Sequence, residues 1–335
     1  MDEKWFERLV GFREHSYLQT RVRLQVAENW LRSKINYQSY YVGHLETPTL
    51  GELRSRAAAP SEELSGRLSV TNVTGDVREF HRDAANANAL FQVASQFNLL
   101  EMSSPDVTPE DGVTRYAYDH TQGPACAIAA GAATIYRNYF VPVGDGIGQT
   151  RDRQIDCLAD IGAALRNDDG ELWEMRNGYA LCTELGLVGI DQTLASMSPD
   201  DVDALRARLR IGLHWNVEVT DADPPRPFVS QAFCSALPVS YTRIPSDRWR
   251  AFATLVLEAA YEATLLAAIL NAGEHGSNVV YLTRLGGGAF GNDPAWIHSA
   301  IRRALECVKD VNLDVRIVSY ADPDPELVEL AAELR

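Results

Sequence analysis

Four glycines in six residues, Gly286-Gly287-Gly288-Ala289-Phe290-Gly291, stand between the short apolar run Asn278-Val-Val-Tyr-Leu-Thr and an amphipathic segment striped by Ile297, Ile301, Leu305 and Val308. A run this short and uniformly apolar is what a central parallel strand, covered on both faces, must look like. The stripe repeats at helical spacing, and Asp293 followed by Pro294 supplies an N-cap and a first-turn residue at its start. A strand feeding a capped helix through so tight a turn is part of a βαβ unit, so this feature predicts an α/β fold built in layers. The glycines leave backbone N–H groups uncovered at the carboxyl end of a strand, where such sheets bind ligands; a diphosphate can be wrapped there without lysines. The same glycines also fit a turn that merely lets strand and helix pack closely.

The rest of the chain extends the layering. Residues 67–74 predict a strand, 84–102 a helix, 125–139 a second helix, 152–166 an amphipathic segment and 171–182 a strand or hairpin. Ser198-Pro-Asp-Asp is a strong helix start. After a proline-rich break, 228–241 is strand-like and 315–320 gives a last strand. The longest apolar stretch, 249–272, carries Glu258 and Glu262 one turn apart, which is costly in a bilayer, so it predicts a helix buried in a core. At the N-terminus, 5–12 reads as a helix, 23–27 and 39–43 as strands, and 50–56 as a helix capped by Thr49. Together these suggest a small α+β appendage over 1–65, a linker over 57–66 and a main domain over 66–335.

Composition removes several function classes. Lys plus Arg total 31 against 46 Asp plus Glu, a formal charge of −15, which argues against a duplex nucleic-acid footprint. The five cysteines are scattered, without a CxxC pair, and the N-terminus lacks a signal-peptide pattern, so a reducing, cytoplasmic setting is expected and no membrane partner. Gly286-x-Gly288-x-x-Gly291 matches a dinucleotide fingerprint literally, yet only 44 residues follow Gly291, too few for the further βα units that fold needs. There is no Lys-Ser or Lys-Thr for a P-loop and no Gly-x-Ser-x-Gly elbow. The seven histidines form no ligand spacing, so no metal and no cofactor is expected.

A second polar constellation is Asp119-His120-Thr121-Gln122-Gly123-Pro124, ahead of the small-residue run 125–133, with Arg137 and Asn138 beyond it. Thr121, Gln122, Gly123, Arg137 and Asn138 are candidate ligand contacts. They equally fit a helix start packed tightly on the sheet, with Arg137 paired to a core carboxylate.

An apolar strand, then Gly-Gly-Gly-Ala-Phe-Gly-Asn-Asp-Pro, a helix and a last strand resemble the phosphate-binding second loop of macro domains, especially the branch of poly(ADP-ribose) glycohydrolases and their microbial relatives. An early strand running into Asn72-Val-Thr-Gly75-Asp76-Val77 resembles that branch again. The resemblance covers about 67–330, with insertions around 145–225, and leaves the first 65 residues unexplained. It implies a three-layer α/β/α domain with a mixed, largely parallel sheet. It implies that Asp76, beside Val77, reads adenine; that Gly286, Gly287, Gly288, Ala289, Gly291 and Asn292 hold the diphosphate; and that Phe290 lies against the distal ribose. Asp76 also fits a solvated turn.

The implied function is binding ADP-ribose, free or on an ADP-ribosylated macromolecule, and hydrolysing the linkage. A non-catalytic reader, or an enzyme acting on another nucleotide or nucleotide sugar, are the alternatives. The chain departs from its hydrolytic relatives in lacking a Gly-Gly-Gly loop and Gln-Glu-Glu run after the first strand; Gln96, Asn98 and Glu101 are partial replacements. Cleaving a glycosidic bond builds positive charge at the ribose C1, which calls for a carboxylate. Glu101, on one face of the predicted helix with Asn98, is the first candidate for that catalytic role and Asp119 the second.

Overall fold

The computed structural model describes residues 4–58, 64–320 and 322–333, so residues 59–63 of the expected linker lie outside the described residues. Seven strands form the main sheet: β1 (His44–Glu46), β2 (Ser69–Thr74), β3 (Leu90–Ala94), β4 (Gly212–Glu218), β5 (Phe228–Cys234), β6 (Val279–Leu282) and β7 (Asp314–Ser319). Their order is β1-β4-β5-β3-β6-β7-β2. The pairs from β5 through β3, β6 and β7 to β2 are parallel, and the β1–β4 and β4–β5 pairs are antiparallel, so the sheet is mixed and largely parallel as expected.

Helices cover both faces. The ones that matter below are α1 (Leu50–Arg56), α2 (Val77–Arg82), α3 (Gln122–Ala129), α4 (Gly131–Tyr139), α5 (Arg250–His275) and α6 (Pro294–Cys307). Strand alternation shows which face each helix covers. In β3, Gln92 donates to Thr264 Oγ1 on α5, while its neighbour Phe91 stacks on His81 of α2 with ring centroids 3.8 Å apart. In β5, the Cys234 thiol lies against Thr264, whereas Gln231 reaches the Cys126 carbonyl of α3. The domain is therefore a three-layer α/β/α sandwich.

The helix expected over 84–102 does not form. A single 3-10 turn at Ala84–Asn86 leads into β3, and a loop carries residues 95–103. β3 has a partner on each side and helices on each face, so Leu90, Phe91, Gln92 and Val93 are all buried. A strand buried on both faces loses the alternation that distinguishes it from a buried helix.

The expected capping signals do hold. Thr49 and Ser198 each close a capping box, and Asp293 accepts the Ala295 amide with Pro294 in the first turn of α6. Glu258 and Glu262, the acids at the centre of the apolar helix α5, are neutralised from three sides. Glu262 takes Arg54 of α1 at 2.6 Å and Arg303 of α6 at 2.5 Å, and Glu258 takes Arg206 at 2.7 Å. Such a cluster contributes little net stability but specifies how the neighbouring helices seat on α5. By length and composition α5 could cross a bilayer, yet it lies mostly buried between the sheet and these helices.

The N-terminal segment forms helices at Trp5–Val10 and Tyr17–Arg23 and a three-stranded sheet of Leu24–Ala27, Trp30–Ser33 and Ser39–Tyr41. Its buried side chains, Phe6 and Leu31 among them, share a second apolar core with Leu100, Met102, Val113, Tyr116, Ile128 and Ile135. That core clamps the 100–117 loop against α3 and so fixes one wall of the site. The stretch 145–225 holds a hairpin of Trp173–Arg176 and Tyr179–Cys182, the helices Glu184–Ser196 and Pro199–Arg206, and β4.

Candidate functional site

A cavity of about 140 Å³ opens at the carboxyl ends of β3 and β6. Three segments enclose it: the loop after β3 with Gln96 and Glu101, the start of α3 with Thr121, Gln122 and Gly123, and the glycine loop with Gly286, Gly288, Ala289 and Phe290.

The glycine loop is a tight cup. Gly286 and Gly291 take φ of +74° and +68°, and a Cβ at Gly291 would sit 1.8 Å from Ser240 Oγ. The amides of Leu285, Gly287, Gly291 and Asn292 bond within the turn, to Thr283, Arg284, Gly288 and Gly286 carbonyls. Those of Gly286, Gly288, Ala289 and Phe290 make no hydrogen bond among the described residues, and these four residues line the cavity. Successive unbonded N–H groups in such a turn form a concave anion site. Gly288 faces open space: a Cβ at this position would meet nothing within 4 Å.

Glu101 is 4% exposed, and its Oε1 has no hydrogen-bond partner. Its carboxyl is pressed against the start of α3: a Cβ at Gly123 would lie 2.2 Å from Glu101 Oε2. Burial holds this carboxyl well above the ordinary range; the charge of Arg137 opposes that shift and Asp119 adds to it. A buried acid that keeps its proton is suited to giving one away.

Asp119 also lines the cavity, but its Oδ1 accepts the Thr121 amide at 2.9 Å and hydroxyl at 2.7 Å, so it shapes the entry to α3. Gln122 is committed to β3, accepting from the Ala94 amide and donating to the Gln92 carbonyl. Gln96 accepts the Met102 amide at 2.6 Å and holds the loop closed.

Several candidates lie elsewhere. Asn98 does not share a helix face with Glu101: it sits in a buried turn, donating to Gln154 and accepting the Leu100 amide, outside the cavity lining. Asn138 donates to the Pro109 carbonyl, and Arg137 is buried behind the site, bonded to Leu99, Thr134 and His214 rather than to a carboxylate. Gly287 and Gly291 shape the cup from outside, and Asn292 ties it to the Leu237 carbonyl. Asp76 is the exposed N-cap of α2, accepting the Arg78 amide, and Val77 is buried in that first turn; neither lines the cavity. Cys126 is buried within α3, and burial pushes its thiol up, away from nucleophilic use. Among the described residues no group of His, Cys, Asp and Glu is placed to hold a metal ion.

Of the aromatic wall, the sequence signals only Phe290. Tyr179, Tyr241 and Phe290 meet with ring centroids 5.1–5.5 Å apart, and all three line the cavity. Tyr179 arrives there because the tip of its hairpin docks on the loop after β3, where Phe97 N donates to the Gly178 carbonyl at 3.0 Å. The Asn177-Gly178 turn signal announces the hairpin but not its landing place.

No family model matches the chain, and no curated protein does. Among solved structures it is similar to a poly(ADP-ribose) glycohydrolase from Deinococcus radiodurans in complex with ADP-ribose, at 12% identity over 96% of each chain, with a TM-score of 0.43. It is also similar to the glycohydrolase from Thermomonospora curvata, at 14% identity over 95% of this chain and 98% of that one, TM-score 0.45. The latter bound to the inhibitor ADP-HPD gives 13% identity, 95% and 97% coverage, and a TM-score of 0.43.

Proposed function

We propose that the cavity takes the distal ribose and diphosphate of an ADP-ribosyl group, and that the protein hydrolyses the bond joining that group to a macromolecule. In this reading the free amides of Gly286, Gly288, Ala289 and Phe290 hold the diphosphate and the three aromatic rings flank the ribose. A volume of about 140 Å³ suits a sugar and is well below the roughly 300–1,000 Å³ of sites that enclose a whole drug-sized ligand, so the adenosine part lies outside, toward Asp76. As the C1 bond breaks, Glu101 gives its proton to the leaving atom; water adds to the C1 cation and returns a proton to the Glu101 carboxylate.

The observation that carries the proposal is the unpartnered, buried carboxyl oxygen of Glu101 in the same cavity as the unbonded amides. Calorimetry with ADP-ribose tests the binding half. Micromolar or tighter binding is expected, and Gly288→Glu, whose Cβ meets nothing within 4 Å, should abolish it by placing a carboxylate where the phosphates go. No detectable binding at millimolar ligand ends the proposal. On ADP-ribosylated protein, Glu101→Gln should keep binding and lose turnover by about 10²–10⁴-fold.

One observation favours a second reading, a reader module without chemistry. Asp119 is tied to Thr121, which leaves a single uncommitted acid in the cavity. Retention of modified protein by the wild type without release of ADP-ribose would establish it. A third reading, another nucleotide or nucleotide sugar in the same cup, is tested by mass spectrometry of ligand carried through purification. A cytoplasmic location belongs to the proposal, motivated by five cysteines that all stay unpaired.

A further inference from the structure

Arg137 is 1% exposed and has no carboxylate within ion-pair distance among the described residues. A buried cation ordinarily requires a counter-ion. Its donors go instead to neutral groups: Nε to the Leu99 carbonyl at 3.2 Å, Nη2 to Thr134 Oγ1 at 2.9 Å, and Nη1 to His214 Nδ1 at 3.1 Å. The guanidinium lies 3.9 Å from the Phe233 ring centroid. Leu99 itself has φ +63°, rare for a branched side chain, at the turn that swings the chain from Gln96 round to Glu101. Arg137 thus holds the strained carbonyl two residues before the one buried acid of the cavity.

We propose that Arg137 is a positioning residue that serves as the fixed counter-charge of the site: it clamps the Glu101 turn from behind and stabilises the carboxylate that appears once Glu101 has given up its proton. The inference rests on reading Glu101 as the acid of the site. The other groups around Glu101 do not supply that charge: Arg284, which also lines the cavity, is committed to Asp324 at 2.8 Å. Asp119 carries the wrong sign, and Tyr116, Cys126 and Tyr179 are held neutral by burial. On the far side of Arg137, His214 is also kept neutral, by burial and by Arg137 itself.

The test follows the Glu101 side-chain carboxyl by ¹³C NMR on the full chain, assigned by its loss in Glu101→Gln, without ligand. In Arg137→Met the titration midpoint should rise by about one pH unit or more, as for removal of a nearby opposite charge. In Arg137→Lys, which keeps the charge but not the fork, it should stay nearer the wild-type value. An unchanged midpoint in Arg137→Met, or an equal rise in both variants, overturns the proposal. If Arg137→Met does not fold, the wild type decides: the Arg137 Nε–H resonance must shift with the Glu101 midpoint, and silence there overturns the proposal. Absence of ADP-ribose binding alongside the expected shifts would remove the proposed function and leave this inference standing.

Discussion

Glu101→Gln provides a stability measurement that needs no ligand. Glu101 is buried with its folded-state proton affinity raised, first by desolvation. Below the unfolded-state pKa of about 4.3, both folded and unfolded chains carry the proton and the group contributes no pH dependence. As pH rises above that value the unfolded chain ionises while the folded chain keeps its proton, so the folded state binds one proton more. Linkage then requires stability to fall by about 1.4 kcal/mol per pH unit until Glu101 ionises in the folded protein, after which the loss is constant. Gln has no such titration. Any fixed difference from its extra donor shifts the two curves relative to one another without changing the slope. The stabilities of wild type and variant from urea unfolding, followed by fluorescence of buried Trp249 and Trp296, should therefore diverge as pH rises above 5, by up to about 1.4 kcal/mol per pH unit for as long as folded Glu101 keeps its proton. Parallel curves from pH 4.5 to 7 would show that Glu101 is already ionised in the folded state, and the proton-donor reasoning would fail with it.

Three further outcomes follow from the packing. Glu262→Ala removes the buried carboxylate between Arg54 and Arg303; because both are 29% exposed and keep Asp203 at 2.6 and 3.4 Å, the cost falls below that of an orphaned buried charge, about 1–3 kcal/mol by urea unfolding, and a change under about 0.5 would contradict it. Gly291→Ala forces a side chain to φ +68° and into Ser240, so about 2–3 kcal/mol of stability and most ADP-ribose affinity should be lost, with Ser240→Gly in the same chain restoring part of the stability. Four of the five thiols are buried, so alkylation of the native protein should modify Cys307 alone, slowly because burial also pushes that thiol up, and all five in urea; native modification of Cys126 would refute the packing of α3.

The parts of the site that are local in sequence are legible there. The glycine cup, its Asp293 cap and the capping boxes at Thr49 and Ser198 depend on contacts within a few residues, and the chain states them directly. Period and distance are what sequence reasoning misses. β3 is buried on both faces and mimics a helix, which puts Glu101 beside Asn98 on a face that does not exist; it reaches the cavity through the turn at Leu99 instead. Arg137 resembles a ligand contact because an arginine among small residues is conspicuous, but whether it points into a cavity or behind one is decided by the Leu99 turn after β3 and by β4, more than 35 residues away on either side. The Tyr179 hairpin lands on the site through a backbone bond from Phe97 to Gly178, a pairing that no local pattern encodes.

The juxtaposition of a protonated acid and an anion cup has one more consequence. Arg284 lines the cavity but is paired with Asp324, so a diphosphate bound in the cup would bring net negative charge beside Glu101, which favours the protonated carboxyl further. By reciprocity, the protonated form must bind the diphosphate more tightly than the ionised form. ADP-ribose affinity should then be flat at acid pH and fall as pH passes the Glu101 midpoint of the free protein, by at most about tenfold per pH unit. Binding in that range should take up a proton, visible as a dependence of the calorimetric heat on the ionisation enthalpy of the buffer. Glu101→Gln should abolish both effects while leaving the affinity near the acid-pH value of the wild type. If the wild type binds equally well on both sides of the midpoint, or the variant keeps the same pH dependence, then the acid and the phosphates do not share one site.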